Sequence, residues 1–421
     1  MLNPKLGCLA RAVHRADFHK KPSGQERRNM KPYRVVIIGA RFSGLTVAHW
    51  VHRLLQSGEF TGTIVDAWPT MTYRPGLVYA MRARPEFVRR LHIETRKTVE
   101  RCGFHFVEDH ALRVDPSHQQ VHLAAHRPLP YDVLFLASGS DPGWNTIAGL
   151  NVSRGGLCED YLARHTASVL KGWQSGTLIF ACGPLHASPH QPVQLATADE
   201  FMLYEASLLW DWACRRRHVR HLTEIILMTP APVLGEPLGP SGRARLAAIM
   251  AQRDIHIKTQ TQFVEVRDDG IQTEHAFLPA QAMVWVPPYV GSGLARNSGL
   301  DDGYGWVPVT PHLQHRNWSN IYAVGDITNH VPKLAHAAMV QARVAVHHWW
   351  SSLSHRPTPP PYHPQVIAML DIGYGKGLFS LNTTLYGGTR DFTYVGYPAQ
   401  IGKRLFNGAY IRSHGWLPVM P

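Results

Sequence analysis

A glycine-rich turn near the beginning of the chain constrains the fold more than any other feature of the sequence. The turn runs from Gly39 to Gly44, follows the short apolar segment 33–38 and leads into a helical segment over 43–55. A second apolar segment ends at Asp66, 22 positions after Gly44. This spacing is typical of a βαβ unit in which the helix N-terminus receives a pyrophosphate and the acidic residue receives a ribose hydroxyl. The sequence therefore predicts a dinucleotide-binding unit.

The turn departs from the usual G-x-G-x-x-G pattern at one position. Gly39 suits the tight turn and is followed by Ala40, while Gly44 suits close contact between helix and strand. Arg41 stands where the second glycine would let the backbone approach the phosphates. An arginine is compatible with binding if its side chain points away or itself contacts a phosphate. The alternative is an ordinary corner between a strand and a helix.

The rest of the chain alternates strand-like and helical segments, which is typical of an α/β protein with mainly parallel sheets. Strand-like segments lie at 131–139, 176–181, 225–229 and 320–326, and helical segments at 197–215, 241–253 and 333–350. A chain of 421 residues is long enough for two domains. We predict two Rossmann-like dinucleotide-binding domains. The predicted bounds are a basic extension over 1–30, a first dinucleotide-binding domain over 31–145 and 305–355, a second nucleotide-fold domain over 146–304, and a C-terminal segment over 356–421.

Three segments in this order resemble the FAD-dependent pyridine nucleotide-disulfide oxidoreductase superfamily: the glycine-rich turn, residues 131–139 and residues 322–326. Three further motifs resemble one branch of this superfamily, which contains the sulfide:quinone oxidoreductases and the flavocytochrome c sulfide dehydrogenases. They lie at residues 73–77, 287–289 and 305–309. The resemblance covers about residues 33–410. It implies FAD as cofactor, with Asp326 contacting the ribityl chain. The implied cofactor residues are Gly39, Ala40, Gly44, Asp66, Ser138, Gly139, Gly325 and Asp326.

Two cysteines are candidates for sulfur chemistry. Cys158 matches by position a cysteine that sulfide:quinone oxidoreductases keep near the flavin, where a thiolate could attack or relay sulfur if positive charge lowers its pKa. Members of this branch commonly use a second cysteine just beyond the Gly-Asp turn, but residues 326–330 contain none. Cys182 ends a strand whose carboxyl edge would face the flavin and is a candidate replacement. Either thiol could instead be a small buried hydrophobe.

The resemblance implies an enzyme that passes electrons from sulfide, or another small reductant, through FAD to a membrane quinone. A type II NADH:quinone oxidoreductase is the alternative, although residues 182–187 lack the glycine-rich turn that a nicotinamide dinucleotide needs. The third candidate is a flavin-binding protein without sulfide activity.

Lys333 and His336 are further candidates near the flavin. The Pro-Lys pair at Lys333 resembles a segment that borders the flavin in this branch, where a cation would stabilise negative charge on the reduced ring. His336 could donate a proton to a quinone, because histidine titrates near neutral pH. A plain histidine on the helix surface is the alternative.

Composition favours an anionic partner, and a membrane surface more than nucleic acid. The formal net charge is +13 with 26 His in addition. No nucleic-acid-binding motif occurs, and the five cysteines form no metal-binding or disulfide pattern. No stretch of about 18 apolar residues is free of charge, so no transmembrane helix is predicted. A homo-oligomer is compatible with the sequence.

The C-terminal segment is the candidate for a peripheral membrane contact. Residues 399–412 predict a helix with Lys403 and Arg404 beside an apolar stripe. The stripe consists of Ile401, Leu405, Phe406, Ala409 and Tyr410. Such a helix could lie in a lipid interface, with Tyr410 and Trp416 at headgroup level and the cations on anionic lipids. The alternative is a helix docked on its own domain.

Residues 1–30 contain seven Lys or Arg, lack an apolar core and end at Met30, just before the first strand. A transit peptide and a misassigned start both fit this pattern. We favour Met30 as the true first residue.

Overall fold

The computed structural model describes residues 32–55, 58–82, 86–354 and 356–416. The predicted basic extension over residues 1–30 lies outside the described residues.

The described chain alternates strands and helices in three successive parts. The first part contains β1 (Tyr33–Ile38), α1 (Phe42–Leu54), β2 (Phe60–Asp66), β3 (Met71–Thr72), α2 (Glu86–Arg89), β4 (His92–Ile93), α3 (Thr95–Arg101), β5 (Phe104–Glu108), β6 (Ala111–Asp115), β7 (Gln120–Leu123), β8 (Leu129–Pro130), β9 (Val133–Leu136) and β10 (Asp141–Pro142). The second part contains α4 (Asp160–Leu170), β11 (Gly176–Cys182), α5 (Phe201–Arg216), β12 (Thr223–Met228), α6 (Gly239–Gln252), β13 (His256–Lys258), β14 (Phe263–Arg267), β15 (Gly270–Thr273), β16 (Phe277–Pro279), β17 (Ala282–Val286), β18 (Tyr289–Val290) and α7 (Gly293–Ser298). The third part contains β19 (Ile321–Ala323), α8 (Ala335–Leu353), β20 (Val366–Asp371), β21 (Gly377–Asn382), β22 (Asp391–Gly396) and α9 (Tyr397–Arg412).

The first parallel sheet has the strand order β19-β9-β1-β2-β5. Strand β19 reaches this sheet only after the chain has built the second sheet, so two separate segments form the first domain. Residues 35–38 of β1 are buried, as expected for a parallel strand with both faces covered. Helix α1 contacts α8, which follows the returning strand β19.

The second parallel sheet has the order β13-β12-β11-β17, and α5 packs against three of its strands. The prediction of an α/β protein with two Rossmann-like, parallel-sheet domains is therefore confirmed. The residue numbers of the domain bounds stay a prediction.

Two predicted helices begin later than the sequence indicated. Helix α5 begins at Phe201 rather than at residue 197, because residues 183–200 form a loop that is hydrogen-bonded to the segment around Val286 and Tyr289. Helix α8 begins at Ala335, because the backbone N–H of Lys333 donates to the carbonyl of Ala198 at 2.9 Å.

The C-terminal segment contains a sheet that the sequence analysis missed. Strands β20, β21 and β22 form an antiparallel sheet, with β20 packed on α5 and α9 packed on β20 and β21. The segment is thus a layer on the second domain, which we call the C-terminal layer (residues 366–412). Within the described ranges, no helix is long and apolar enough to cross a membrane.

Candidate active site

A cavity of about 640 Å³ is lined by the turn after β1, the loop after β9, the segments that precede α5 and α8, and the C-terminal layer. Its size is typical of a cofactor or ligand site. We call it the central cavity. The predicted cofactor residues that line it are Gly39, Asp66, Ser138, Gly139 and Asp326. Ala40, Gly44 and Gly325 support this wall without lining it.

The two glycines of the turn after β1 are required by close contacts. Gly39 has a φ of +99°, and a Cβ on it would lie 2.4 Å from the carbonyl oxygen of Ala137. A Cβ on Gly44 would lie 1.8 Å from the carbonyl oxygen of Gly39. The predicted roles of these glycines in the tight turn and in close helix–strand packing are consistent with this geometry.

Arg41 does not block the amino end of α1. Its Nη1 donates to Oε1 of Glu159 at 3.0 Å, and both residues line the cavity. Phe42 and Ser43, in the first turn of α1, line the cavity. A helix N-terminus that faces a cavity favours an anion such as a pyrophosphate.

Asp66 is held in place by two backbone N–H groups. Ala40 donates to its Oδ2 at 2.6 Å, and Trp68 donates to its Oδ1 at 3.0 Å. A carboxylate has about four acceptor positions, so these bonds orient Asp66 and leave acceptor capacity for a ribose hydroxyl. This explains how Ala40 contributes without lining the cavity.

At the other end of the cavity, Gly325 brings Asp326 to the wall. Gly325 has a φ of +79°, and a Cβ on it would lie 2.8 Å from Oγ of Ser43. Its N–H donates to Oε1 of Gln341 at 2.7 Å, which fixes this turn against α8. Gly139 has a φ of +82°, and a Cβ there would meet no protein atom within 4 Å, so the wall is open at this point. The cradle from Asp66 to Asp326 fits an extended dinucleotide.

Cys158 lies in the wall of the central cavity but is not activated as the sequence analysis required. Burial raises the pKa of its thiol to about 12, although the Arg74 guanidinium opposes this shift. The lowering of this pKa by positive charge, on which thiolate chemistry at Cys158 depended, is therefore not found. The main reason is burial, and the carboxylates of Asp199 and Glu159 add to it. Glu159 also forms ion pairs with both Arg74 and Arg41.

Cys182 is buried and does not line the cavity. Its Sγ contacts the backbone carbonyl of Asp199 at 3.6 Å, and Asp199 itself lines the cavity. Burial raises the pKa of Cys182 as well. The structure therefore brings Cys158, but not Cys182, to the cavity, and a partnership of the two thiols stays a prediction.

Lys333 and His336 both line the central cavity, so His336 is not merely a surface residue. Nζ of Lys333 donates to the carbonyl of Thr328 at 2.6 Å and lies 4.2 Å from the ring centroid of Trp306. Burial lowers the pKa of Lys333 to about 7, against the attraction of Asp326. Lys333 can therefore hold or release a proton near neutral pH.

The sequence analysis missed several charged residues of the cavity wall. They are Arg74, Glu159, Asp199 and Glu205. Burial raises the pKa of Asp199 to about 7. Two features of the sequence could have indicated the two acids among these residues. Asp199 lies just before α5, and Glu205 is a single carboxylate inside the apolar stretch 201–209. Nε of Arg74 is buried without a hydrogen-bond partner, which is consistent with a polar ligand group at this wall.

Lys403 is buried and forms an ion pair with Glu205. The expectation that Lys403 meets anionic lipids is therefore wrong, because α9 turns this residue inward onto α5. Glu205 also accepts the backbone N–H of Asp371 at 3.0 Å, and both members of the pair line the central cavity. The pair joins the second domain to the C-terminal layer.

Replacing Lys403 with methionine is expected to destabilise the protein by about 3–5 kcal/mol, because it leaves the buried Glu205 carboxyl group without the partner that offsets its burial. Chemical denaturation at neutral pH measures this difference. The matched control is the double variant Glu205→Gln/Lys403→Met, which removes both charges and should recover most of the loss. Equal destabilisation in the single and double variants would contradict this account of the pair.

Comparison with known proteins relates this architecture to one enzyme family. A family model described as pyridine nucleotide-disulphide oxidoreductase matches residues 205–342. The mitochondrial sulfide:quinone oxidoreductase of Mus musculus is 23% identical over 330 residues, which cover 75% of this chain and 69% of that protein. The predicted resemblance to the pyridine nucleotide-disulphide oxidoreductase superfamily is confirmed by these matches.

Solved structures share the fold over almost the whole chain. The sulfide:quinone oxidoreductase of Aquifex aeolicus has a TM-score of 0.79 at 17% identity, and the match covers 91% of each chain. NDH2 from Plasmodium falciparum, solved in complex with NADH, has a TM-score of 0.69 at 11% identity and covers 92% of this chain and 97% of its own. The predicted resemblance to the sulfide:quinone oxidoreductase-like branch is confirmed as well. Together these similarities indicate an FAD-dependent oxidoreductase.

Proposed function

We propose that this oxidoreductase takes electrons from sulfide, or another small reductant, and passes them through FAD to a membrane quinone. The observation that carries the proposal is the continuity of the central cavity. A single space is lined by Cys158, by the cradle from Asp66 to Asp326, and by Lys403 of the C-terminal layer. Sulfide, FAD and the quinone could therefore bind in contact with one another inside this one cavity.

Bound in this cradle, FAD supplies the two-electron redox chemistry. The residues proposed to hold it are Gly39, Ala40, Gly44, Asp66, Ser138, Gly139, Gly325 and Asp326. Lys333 would add a positive charge beside the reduced ring and hold a proton at Nζ. Because the Lys333 side chain is buried, water is kept away from its Nζ.

Contacts around the second sheet favour a small reductant over NADH. A nicotinamide dinucleotide would place its pyrophosphate at the N-terminus of α5, but two carboxylates of the chain already lie there. Oδ1 of Asp199 accepts the N–H of Phe201 at 3.0 Å, and Glu200 is buried beside it. The turn after β11 is closed as well, since a Cβ on Gly183 would lie 2.3 Å from the backbone nitrogen of Pro288. An NADH:quinone oxidoreductase remains the second candidate because of the fold shared with NDH2.

The part of the cavity under α9 has the properties of a quinone-head site. Ile367, Met369 and Phe406 provide apolar walls, while Lys403 and His336 provide polar hydrogens. A quinone needs both features, because its ring is apolar and its two oxygens gain protons on reduction. We propose Lys403 and His336 as the groups that supply or relay those protons.

Helix α9 divides the predicted apolar stripe between two faces. Tyr410 is buried with its ring 5.0 Å from that of Phe42, and Phe406 faces the cavity. On the outward face, Tyr397, Ile401 and Leu405 are 59%, 53% and 68% exposed and recur every fourth residue. We call these three residues the apolar face, and we propose that it inserts into a lipid interface as a peripheral anchor.

Replacing both Ile401 and Leu405 with aspartate is expected to weaken association with lipid vesicles by at least about 100-fold. Each aliphatic side chain buried in the lipid contributes about 1.5–3 kcal/mol to the binding free energy. Flotation with phosphatidylcholine vesicles measures the bound fraction. The matched control is Val169→Asp/Leu222→Asp, which changes two side chains of similar exposure, 47% and 52%, outside α9. Equal binding by both double variants would exclude the apolar face as the anchor.

Anaerobic absorbance of the flavin-loaded protein tests the proposed function. Sulfide and NADH are added separately, and a short-chain quinone is then added to the reduced sample. Bleaching by sulfide, followed by recovery with quinone, supports the proposal. Bleaching by NADH alone assigns the chain to the NADH:quinone class, and no bleaching by either donor favours the flavin-binding protein without this activity.

A further inference from the structure

A second cavity lies on the flank of α9, separate from the central cavity. Its volume is about 480 Å³, and its polar wall includes Arg82, Arg90 and Arg404. Phe87 and Ile411 belong to its apolar wall. We call it the arginine groove. A pocket with several guanidinium groups and an apolar side is suited to an anionic amphiphile.

The positive charge of the arginine groove exceeds the negative charge in its wall. Within the described ranges, Arg90 and Arg404 form no ion pair, and the buried Nε of Arg82 has no hydrogen-bond partner. Asp371 is the acid in the groove wall, and its carboxylate already accepts bonds from Tyr79, Gln400 and the backbone of Gly373. Three guanidinium groups against one engaged carboxylate leave an excess of positive charge.

The groove lies beside the central cavity and adjoins the apolar face. The hydroxyl of Tyr73 donates to Oδ1 of Asn407 at 2.6 Å, and these two residues line both cavities, so their bond lies in the partition. Arg404 precedes Leu405 of the apolar face directly in sequence, and both side chains are exposed. An occupant could therefore have its charged group in the groove while its tail lies in the same lipid layer as α9.

We propose that the arginine groove binds the phosphate headgroup of an anionic phospholipid. The inference rests on the proposed membrane association and names its lipid partner. The arginines would bind the phosphate oxygens by charge-assisted hydrogen bonds, and the start of an acyl chain would lie along Phe87 and Ile411. A free phosphate would use the arginines but would leave this apolar wall uncovered.

A water-soluble lipid tests the groove without a bilayer. The probes are dihexanoyl phosphatidylglycerol, dihexanoyl phosphatidylcholine and inorganic phosphate at matched ionic strength, each titrated below its micelle concentration. The readout is the melting temperature of the flavin-loaded protein. We expect the phosphatidylglycerol to raise it, because a ligand that binds only the folded state stabilises that state. The other two probes should have little effect.

Two double variants locate the effect. Arg90→Gln/Arg404→Gln should bind the phosphatidylglycerol at least about tenfold more weakly, because charged hydrogen bonds are lost. Lys376→Gln/Arg412→Gln removes the same charge from exposed positions of the C-terminal layer outside the groove, and should retain the affinity. Equal losses in both variants, or an equal response to inorganic phosphate, would overturn the proposal. Failure of vesicle flotation with a retained response to the soluble lipid would instead count against membrane association alone.

Discussion

Replacing Gly44 with alanine is expected to yield protein without bound flavin. The new Cβ would lie 1.8 Å from the carbonyl oxygen of Gly39, far inside van der Waals contact. Helix α1 would have to move away from β1, which costs at least about 1–3 kcal/mol and displaces the helix N-terminus proposed to hold the pyrophosphate. The ratio of flavin to protein absorbance in the purified, soluble protein measures the effect.

Gly408→Ala is the matched control for this substitution. Gly408 also lies in a helix, but a Cβ on it would meet nothing within 4 Å. The control should keep its flavin and gain about 0.5–1 kcal/mol from the better helix propensity of alanine. A soluble Gly44→Ala protein with a full complement of flavin would show that the cradle is not the cofactor site.

Replacing Cys158 with serine is expected to slow flavin reduction by sulfide by at least about 10³-fold, the scale of losing an attacking nucleophile. In the proposed step, the Cys158 thiol and hydrosulfide form an S–S bond, and the thiol proton and the hydrosulfide proton are both released. Bound FAD would supply the two-electron oxidation that this bond requires. A serine hydroxyl does not form this bond, yet it is nearly the same size, so flavin content should not change. Stopped-flow absorbance under anaerobic conditions measures the rate.

Cys102→Ser is the control for the loss of a buried thiol. Cys102 is buried next to His49, with Sγ 3.3 Å from Nδ1, and does not line the central cavity. Its replacement should leave the rate of reduction by sulfide unchanged. If the Cys158 variant is reduced as fast as the parent protein, the donor does not react through this cysteine, whatever the donor is.

The sequence by itself determined the two parallel sheets and the turns that form the proposed cofactor cradle. These features depend on short stretches, such as an apolar strand that ends at Gly39 or a turn at Gly325, where backbone conformation permits few residues besides glycine. The spacing from Gly44 to Asp66 follows from the length of one helix and one strand. Local conformation is encoded in neighbouring residues, and it could therefore be predicted without the rest of the chain.

Only the tertiary structure decided the state of the charged groups and thiols. Cys158 is buried beside a Glu159 that pairs with Arg41 and Arg74, and Glu205 pairs with Lys403 across 198 positions of sequence. A helical pattern of apolar residues shows that α9 is amphipathic, but it does not say whether Tyr410 or Leu405 meets solvent. Burial and charge pairing depend on which distant segment packs against a residue, and that choice is made by the whole fold.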